Sequence, residues 1–305
     1  RWQIRPINML KTAVVICVMG LIADFGYSCF VAYKIHQWEA KVERDENGVR
    51  EGSQPFSLGK GKTALLLIHG LNDAPPTYKP MATKLATSGY HCRVMRLPGF
   101  GESVRKYAKA NADDWLAKVD EEVKLLRQNH QQVYLVGHSL GGAITIAYVR
   151  TNPQLVDGVV LLAPAVDASN ARSFLFPTRT WHEISQRILW FTWTTAVPYE
   201  ADSHHPDGKD PPWRTPFSPL NTINETFKLI DANRGQANEI KRPVLMVLSY
   251  EDVVVDWQKA RTFFYELGSS RKELFVTKDS GHMIPTDNDW PEVTDAIIVF
   301  AKKTD

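Results

Sequence analysis

Ser139, which lies between two glycines, is the residue of this chain best suited to act as a nucleophile. It occupies the centre of residues 137–141 (Gly-His-Ser-Leu-Gly), after an apolar run at 132–136 and before a helix-like run at 142–149. A G-x-S-x-G pattern between a strand and a helix forces a tight turn that holds the serine hydroxyl out of the sheet. The pattern is short and recurs by chance. A base, an acid and oxyanion donors must therefore be found elsewhere in the chain.

Two further side chains follow predicted strands closely enough to meet this serine. His282 comes a few residues after a predicted strand at 273–277, and Asp252 comes after the preceding one at 243–248. The carboxyl ends of parallel strands gather at one edge of a sheet. We therefore predict that Ser139 is the nucleophile, His282 the base and Asp252 the acid.

Several acids and histidines compete for these roles. Asp167 follows another predicted strand and is the alternative acid, while Glu251 and Asp256 are close neighbours of Asp252. We expect His138 to be structural, and His69 to hydrogen-bond the adjacent loop, with a catalytic role as its alternative.

A second histidine pair raises the question of a metal site. His204 and His205 lie near three aspartates, but the surrounding Pro, Gly and Lys favour a solvated loop. We predict no metal and no organic cofactor, because the nucleophile, base and oxyanion donors are all protein groups.

An acyl-transfer site also needs donors for the developing oxyanion. The backbone N–H of Leu140 directly follows the nucleophile at a helix start. The N–H of Leu71 follows His69-Gly70, behind the first predicted buried strand. We predict these two amides as the oxyanion hole.

Strands and helices alternate along most of the chain, which predicts an α/β fold with a mostly parallel central sheet flanked by helices. An Asn47-Gly48 pair between residues 37–44 and 49–58 predicts an antiparallel edge hairpin. The predicted strands lie at 63–68, 90–96, 133–136, 158–162, 243–248 and 273–277, and the predicted helices at 76–88, 113–129, 255–267 and 290–302.

The alternation stops between residues 164 and 240, a segment rich in tryptophan and proline. We predict that this segment is a helical cap inserted between two parts of the core, 37–163 and 241–305. A helix-like run at 181–195 is apolar over most of its surface. Its Trp181, Ile188 and Phe191 either pack the cap against the core or line a substrate pocket beside Ser139.

The N-terminal segment, residues 1–36, contains an almost wholly apolar run at 12–33, long enough to cross a bilayer as a helix. Asp24 interrupts the run, at a cost that its apolar neighbours can offset. We predict a single-pass membrane anchor of undetermined sidedness. The alternative is a buried or interfacial helix that forms a homo-oligomer contact.

Taken together, the motifs resemble those of the α/β-hydrolase superfamily, and within it the monoacylglycerol lipases and bacterial cap-bearing carboxylesterases. The resemblance rests on residues 69–71 and 96–103, the 137–141 pentapeptide, Asp252 and residues 281–282, and covers the chain from about residue 61 to its end. It implies a Ser139–His282–Asp252 triad with Leu71 and Leu140 as oxyanion donors. Phe100 departs from the family pattern at a position where histidine is often found.

Composition narrows the functional classes. The net charge of +2, without basic runs interleaved with aromatics, argues against a nucleic-acid partner. Three scattered cysteines form neither a disulfide framework nor a metal-ligand pattern. We predict a serine hydrolase acting on a small-molecule ester or lipid with an apolar acyl group. The alternatives are an acyltransferase, thioesterase or amidase with the same triad, and a membrane-tethered binding protein without turnover.

Overall fold

The computed structural model describes residues 6–302. Residues 1–5 of the predicted N-terminal segment and the last three residues of the chain lie outside the described part. The helices are α1 (Pro6–Glu39), α2 (Lys79–Thr87), α3 (Val104–Tyr107), α4 (Ala112–Asn129), α5 (Leu140–Thr151), α6 (Thr178–Ile188), α7 (Leu220–Asn233), α8 (Trp257–Glu266) and α9 (Trp290–Lys302). The strands are β1 (Phe56–Leu58), β2 (Thr63–Ile68), β3 (His91–Met95), β4 (Gln132–His138), β5 (Gly158–Leu162), β6 (Thr194–Ala196), β7 (Phe217–Pro219), β8 (Val244–Leu248) and β9 (Lys272–Val276).

Seven strands form the central sheet in the order β1-β3-β2-β4-β5-β8-β9. Only β1 runs antiparallel to its neighbour, and the other pairs are parallel. Apolar side chains cover both faces of the sheet and form a separate core on each face. This explains why the central strands are continuous apolar runs. The predicted α/β architecture with a mostly parallel sheet is confirmed.

The predicted edge hairpin is wrong. Helix α1 continues to Glu39, and a turn at residues 45–48 is closed by one isolated bridge between Arg44 and Arg50. Only Phe56–Leu58 becomes a strand, and it pairs with β3. The Asp45 carboxylate accepts hydrogen bonds from the amides of Asn47 and Val49, so the Asn-Gly signal marks a side-chain-stabilised turn without flanking strands.

The segment predicted as a cap contains α6, a short antiparallel β6–β7 pair and α7. Its first helix occupies Thr178–Ile188, whereas the sequence predicted a helix at 181–195. The chain leaves the helix at Leu189, and residues 190–192 pack against α1 before β6 begins. Helix α1 therefore contacts the cap directly, through a stripe of residues on one of its faces.

Candidate active site

The turn between β4 and α5 holds Ser139 in a strained conformation. Its φ of 53° is unusual for a residue with a side chain, and its ψ is −116°. A Cβ at Gly137 would lie 2.3 Å from the carbonyl oxygen of Gly141, and one at Gly141 would lie 2.1 Å from that of Ile68. Both glycines are therefore required by close backbone approach.

Three side chains at the carboxyl ends of three strands form one hydrogen-bonded chain. The Nε2 of His282 lies 2.9 Å from Ser139 Oγ, and its Nδ1 lies 2.7 Å from Asp252 Oδ2. The other oxygen of Asp252 accepts hydrogen bonds of 2.8 Å from the amides of Val254 and Val255. All three side chains are buried. If the Nδ1–H donates to the carboxylate, Nε2 is free to accept the serine proton.

Two backbone amides lie where an oxyanion could bind. Leu140 is the first residue of α5, so its N–H has no partner within the helix. Leu71 follows Gly70, whose position is so close to the nucleophile that an added Cβ would lie 3.1 Å from Ser139 Cβ. Within residues 6–302, neither amide donates to a protein acceptor.

The two nearby histidines are neutral, and their rings hydrogen-bond backbone groups of the loops around the site. The Nε2–H of His138 donates to the carbonyl of His282 at 2.9 Å, and burial, with the neighbouring His282, lowers the pKa of His138 to about 3. His69 donates from Nδ1 to the Gly70 carbonyl at 3.0 Å and accepts from the Leu97 amide. Burial lowers the pKa of His69 to about 4. The structure does not bring either ring to Ser139 Oγ.

Asp167, the alternative acid, is engaged elsewhere. Its carboxylate lies 2.8 Å from the Lys259 ammonium and accepts a hydrogen bond from the Ala168 amide. Burial would raise the pKa of Asp167, but these hydrogen bonds outweigh that effect and the pKa is lowered. Of the two candidate acids, only Asp252 hydrogen-bonds His282.

Sequence reasoning missed the role of Asp202, a cap residue. Its Oδ2 accepts hydrogen bonds from the amides of His282, at 3.1 Å, and Val253, at 3.0 Å. Its carbonyl accepts from the amide of Met283. One residue therefore joins the loop that carries Asp252 to the loop that carries His282. The only sequence signal was its place among the polar residues at 202–210.

The histidine pair at 204–205 belongs to the same loop system. Both backbone amides donate to Asp287, while the His204 ring lies 2.9 Å from Asp279. The hydrogen bond to Asp279 raises the pKa of His204. These contacts give the pair a structural role next to the His282 loop.

A cavity of about 270 Å³ opens beside Ser139 and His282. Its apolar wall comes largely from helix α7 and from the loop after β8. Polar groups lie at other points of the wall, among them Asp73, Arg172 and Arg214. Residues of the apolar wall include Leu71, Ile223, Phe227, Ile230, Val254 and Met283.

The structure does not place Trp181, Ile188 or Phe191 in this cavity, which corrects the expectation that they line the substrate pocket. All three are exposed on the outside of the cap. The reason is the orientation of α6, whose polar Arg179 and His182 pack over the ring of Phe227. The apolar side of the helix is left facing outward.

The chain is similar to known proteins over most of its length. The family described as "Serine aminopeptidase, S33" matches residues 59–289, about three quarters of the chain. The chain belongs to this family. Its fold and its strand-end Ser139 make it an α/β-hydrolase of the serine hydrolase class.

Two curated relatives match almost over their own full lengths. The thermostable monoacylglycerol lipase of Bacillus sp. (strain H-257) is 26% identical over 258 residues, which are 84% of this chain and 96% of the relative. The carboxylesterase of Bacillus subtilis is 22% identical and covers 83% of this chain and 97% of the relative.

Solved structures share the fold. A metagenome-derived lipolytic enzyme superposes with a TM-score of 0.74 at 22% identity, covering 84% of this chain and 99% of the other. The monoacylglycerol lipase of Paleococcus ferrophilus superposes with a TM-score of 0.71 at 23% identity, covering 82% of this chain and 98% of the other. The family match begins at residue 59, so helix α1 lies outside it.

Proposed function

We propose that this protein hydrolyses carboxylic esters with an apolar acyl group, through an acyl-enzyme on Ser139. The observation that carries the proposal is the hydrogen-bonded chain from Ser139 Oγ through His282 to Asp252. The apolar wall of the adjacent cavity supports the acyl preference. The relatives named as a monoacylglycerol lipase and a carboxylesterase support the choice of ester.

The mechanism follows from the roles of the three side chains. His282 Nε2 takes the proton of Ser139 as Oγ attacks the ester carbonyl carbon, and the amides of Leu71 and Leu140 stabilise the oxyanion. When the intermediate collapses, the bond to the alcohol oxygen breaks and His282 gives its proton to the leaving alcohol. Water, deprotonated by His282, then attacks the acyl-enzyme; the bond to Ser139 Oγ breaks, His282 returns the proton to Oγ, and the acid leaves.

The test uses a fluorophosphonate probe and a panel of p-nitrophenyl esters of increasing acyl length. Wild type is expected to be labelled and to release p-nitrophenol, while Ser139→Ala loses labelling and at least about 10³-fold of its turnover. Equal labelling of both proteins would remove Ser139 from the mechanism. A wild type without turnover on any ester would favour the binding-protein alternative.

The family's description as a serine aminopeptidase favours one second candidate, cleavage of amide bonds by the same residues. Matched p-nitroanilides and p-nitrophenyl esters of the same acids separate the two. Acyl transfer is detected in the same assay, since added glycerol then yields a glyceride in place of the free acid.

We propose further that helix α1 anchors the protein in a membrane. Residues 10–39 have the length and apolarity of a span, with a mean hydropathy of 2.1 in the most apolar window and 11% of that window buried. The test is vesicle flotation and alkaline extraction of the full chain. A protein that leaves the vesicles at alkaline pH, or that forms a stable oligomer without lipid, would favour the oligomer-contact alternative.

A further inference from the structure

Helix α6 of the cap carries large apolar side chains on its outer side, together with the exposed Glu183, Gln186 and Arg187, while Arg179 and His182 face α7. On α6, Arg179 Nη1 lies 2.9 Å from Asp231 on α7, and the His182 ring packs 4.9 Å from the ring of Phe227. The outward surface carries large apolar groups, with Phe174 78% exposed and Trp190 76% exposed. We define the cap's apolar surface as Phe174, Leu175, Phe176, Trp181, Ile188 and Trp190.

This orientation is the reverse of what water favours. A surface helix of a globular protein places its apolar stripe toward the core and its charges toward solvent. Several large apolar side chains exposed close together in the chain indicate a site of contact with another protein or with a membrane. The contact between the cap and the apolar helix α1 favours a membrane.

The loop after α6 is hydrogen-bonded to the apolar helix α1. The carboxylate of Asp24 accepts hydrogen bonds from the amides of Trp190, at 2.7 Å, and Phe191, at 2.9 Å. Ser28 Oγ donates to the carbonyl of Phe191, and the Phe25 and Phe191 rings meet edge to face at 5.4 Å. Asp24 is only 6% exposed. The charged residue that interrupts α1 is therefore the point at which the cap attaches.

The position of Asp24 along α1 sets the depth of this attachment. Asp24 precedes Tyr33, the last residue of the apolar run, by nine positions, which at a rise of 1.5 Å per residue is about 14 Å along the helix. Between them the outer face of α1 remains apolar and exposed, with Phe30 and Tyr33. A loop bound to Asp24 thus lies beside the apolar part of α1.

We propose that the cap itself, and not α1 alone, enters the membrane. Its apolar surface and the outer face of α1 form one surface that contacts the acyl-chain region of a leaflet, and Asp24 fixes the depth of the cap. This inference rests on the proposed membrane attachment of α1. The cap's apolar surface lies within the family match, but Asp24 and the rest of α1 precede its first residue, 59.

The cap segment that carries the apolar surface also borders the cavity beside Ser139. Thr178, the first residue of α6, and Arg172, shortly before it, both line the cavity beside Ser139. The segment that faces the leaflet on its outer side therefore borders the cavity on its inner side.

The first experiment locates Trp190. Full-length Ser139→Ala protein is reconstituted in phosphatidylcholine vesicles containing lipids brominated at defined acyl positions, and tryptophan quenching is measured. Replacing Trp190 with Phe is expected to remove a strongly quenched component. The matched control Trp257→Phe, on α8 against Tyr250, should leave that component unchanged.

An unchanged quenched component in Trp190→Phe overturns the inference, as does a Trp190 that is shielded by a second copy of the chain. Because the measurement uses protein without the Ser139 hydroxyl, its failure is independent of the proposed ester hydrolysis. Conversely, inactivity of the wild type on every ester would leave this result standing.

The second experiment tests Asp24 as the positioning residue. Asp24→Leu removes the acceptor and makes α1 more apolar, so weaker anchoring cannot account for a loss. We expect hydrolysis of a long-chain ester embedded in vesicles to fall at least tenfold, while hydrolysis of a soluble short-chain ester stays within twofold of wild type. Asp24→Asn, which keeps one acceptor oxygen, should restore part of the loss. Equal rates on both esters, or equal losses on both, would overturn the role of Asp24.

Discussion

In the proposed mechanism, the hydroxyl of Ser139 becomes a nucleophile only when the His282 ring presents an unprotonated Nε2 to it. Asp252 enforces that tautomer by holding the Nδ1–H at 2.7 Å. We expect Asp252→Asn to lower kcat/KM for a short soluble ester by about 10⁴-fold. The asparagine amide can donate a hydrogen bond to Nδ1, which favours the tautomer with its proton on Nε2. Steady-state kinetics with a p-nitrophenyl ester measure this loss.

The matched control is Asp167→Asn, at the alternative acid considered for the same role. Asp167 is held by Lys259 and makes no hydrogen bond to His282 in the described structure, so activity should stay within a few fold of wild type. If the two variants lost activity equally, the assignment of Asp252 as the acid would be wrong.

Substitution of Asp202 tests whether the cap holds the loops of Asp252 and His282 in place. Asp202→Ala removes the acceptor for the amides of His282 and Val253, and we expect kcat to fall ten- to a hundredfold with KM little changed, since small misplacements are costly. Asp202→Asn keeps an acceptor oxygen and should recover most of kcat. A rise in KM with kcat intact would point to a role in substrate binding instead.

The contrast between these residues shows what sequence can supply. Ser139, Asp252 and His282 were predictable because each follows a strand of a parallel sheet, and strand ends converge. Asp202 lies eighty positions before His282, in an irregular loop without periodicity. Its contact depends on how the cap folds back over the sheet, which no local pattern records.

Among the secondary-structure elements, prediction succeeded best for strands that are buried on both faces of the sheet. The strand at Gly158–Leu162 was predicted at its exact bounds, because an apolar run with this length and flanks fits a doubly buried strand. The cap helix was predicted to run too far, and its apolar residues were expected to face inward. Hydrophobicity shows that a surface avoids water, but it does not distinguish a protein core from another apolar environment.

Helix α7 is the element that shapes the cavity. Ile223, Thr226, Phe227 and Ile230 recur at helical spacing along one side and line the cavity. We expect Thr226→Phe to shorten the accepted acyl chain, lowering kcat/KM for long-chain esters at least tenfold relative to butyrate. The ester panel measures this ratio.

Lys228→Phe is the control for this change, because Lys228 is exposed on another face of the same helix. It adds the same side chain without entering the cavity and should keep the wild-type ratio of long-chain to short-chain activity. If Thr226→Phe also kept that ratio, the acyl group would bind away from α7.

At the scale of the whole molecule, two histidines next to the site are buried without charge. His69 and His138 have pKa values of about 4 and 3, well below that of an exposed histidine, because burial penalises the imidazolium. Each binds a proton in the unfolded chain near pH 6.5 but not in the folded protein. Their contribution therefore lowers the free energy of unfolding as pH falls from 6.5 toward 4.

Asp73 has the opposite effect on how the free energy of unfolding depends on pH. Burial raises the pKa of Asp73 to about 6, from 3.8 in the unfolded chain. Its stabilising contribution is therefore complete below pH 3.8 and is lost as pH rises through 6. In Asp73→Asn this contribution is absent. Between pH 5.5 and 4.5 the free energy of unfolding should fall more steeply with acid than in wild type, by about 1.4 kcal/mol per pH unit.

Denaturant unfolding of both proteins across this pH range measures the difference, with Asp113→Asn on the exposed start of α4 as the control. At pH 7.5 the variant should be the more stable protein, because wild type must there bury an ionised carboxylate. Parallel curves for wild type and Asp73→Asn would mean that Asp73 titrates normally in the folded state. The nearby Arg214 guanidinium would then hold the carboxylate charged, and the polar side of the cavity would contain an ion pair.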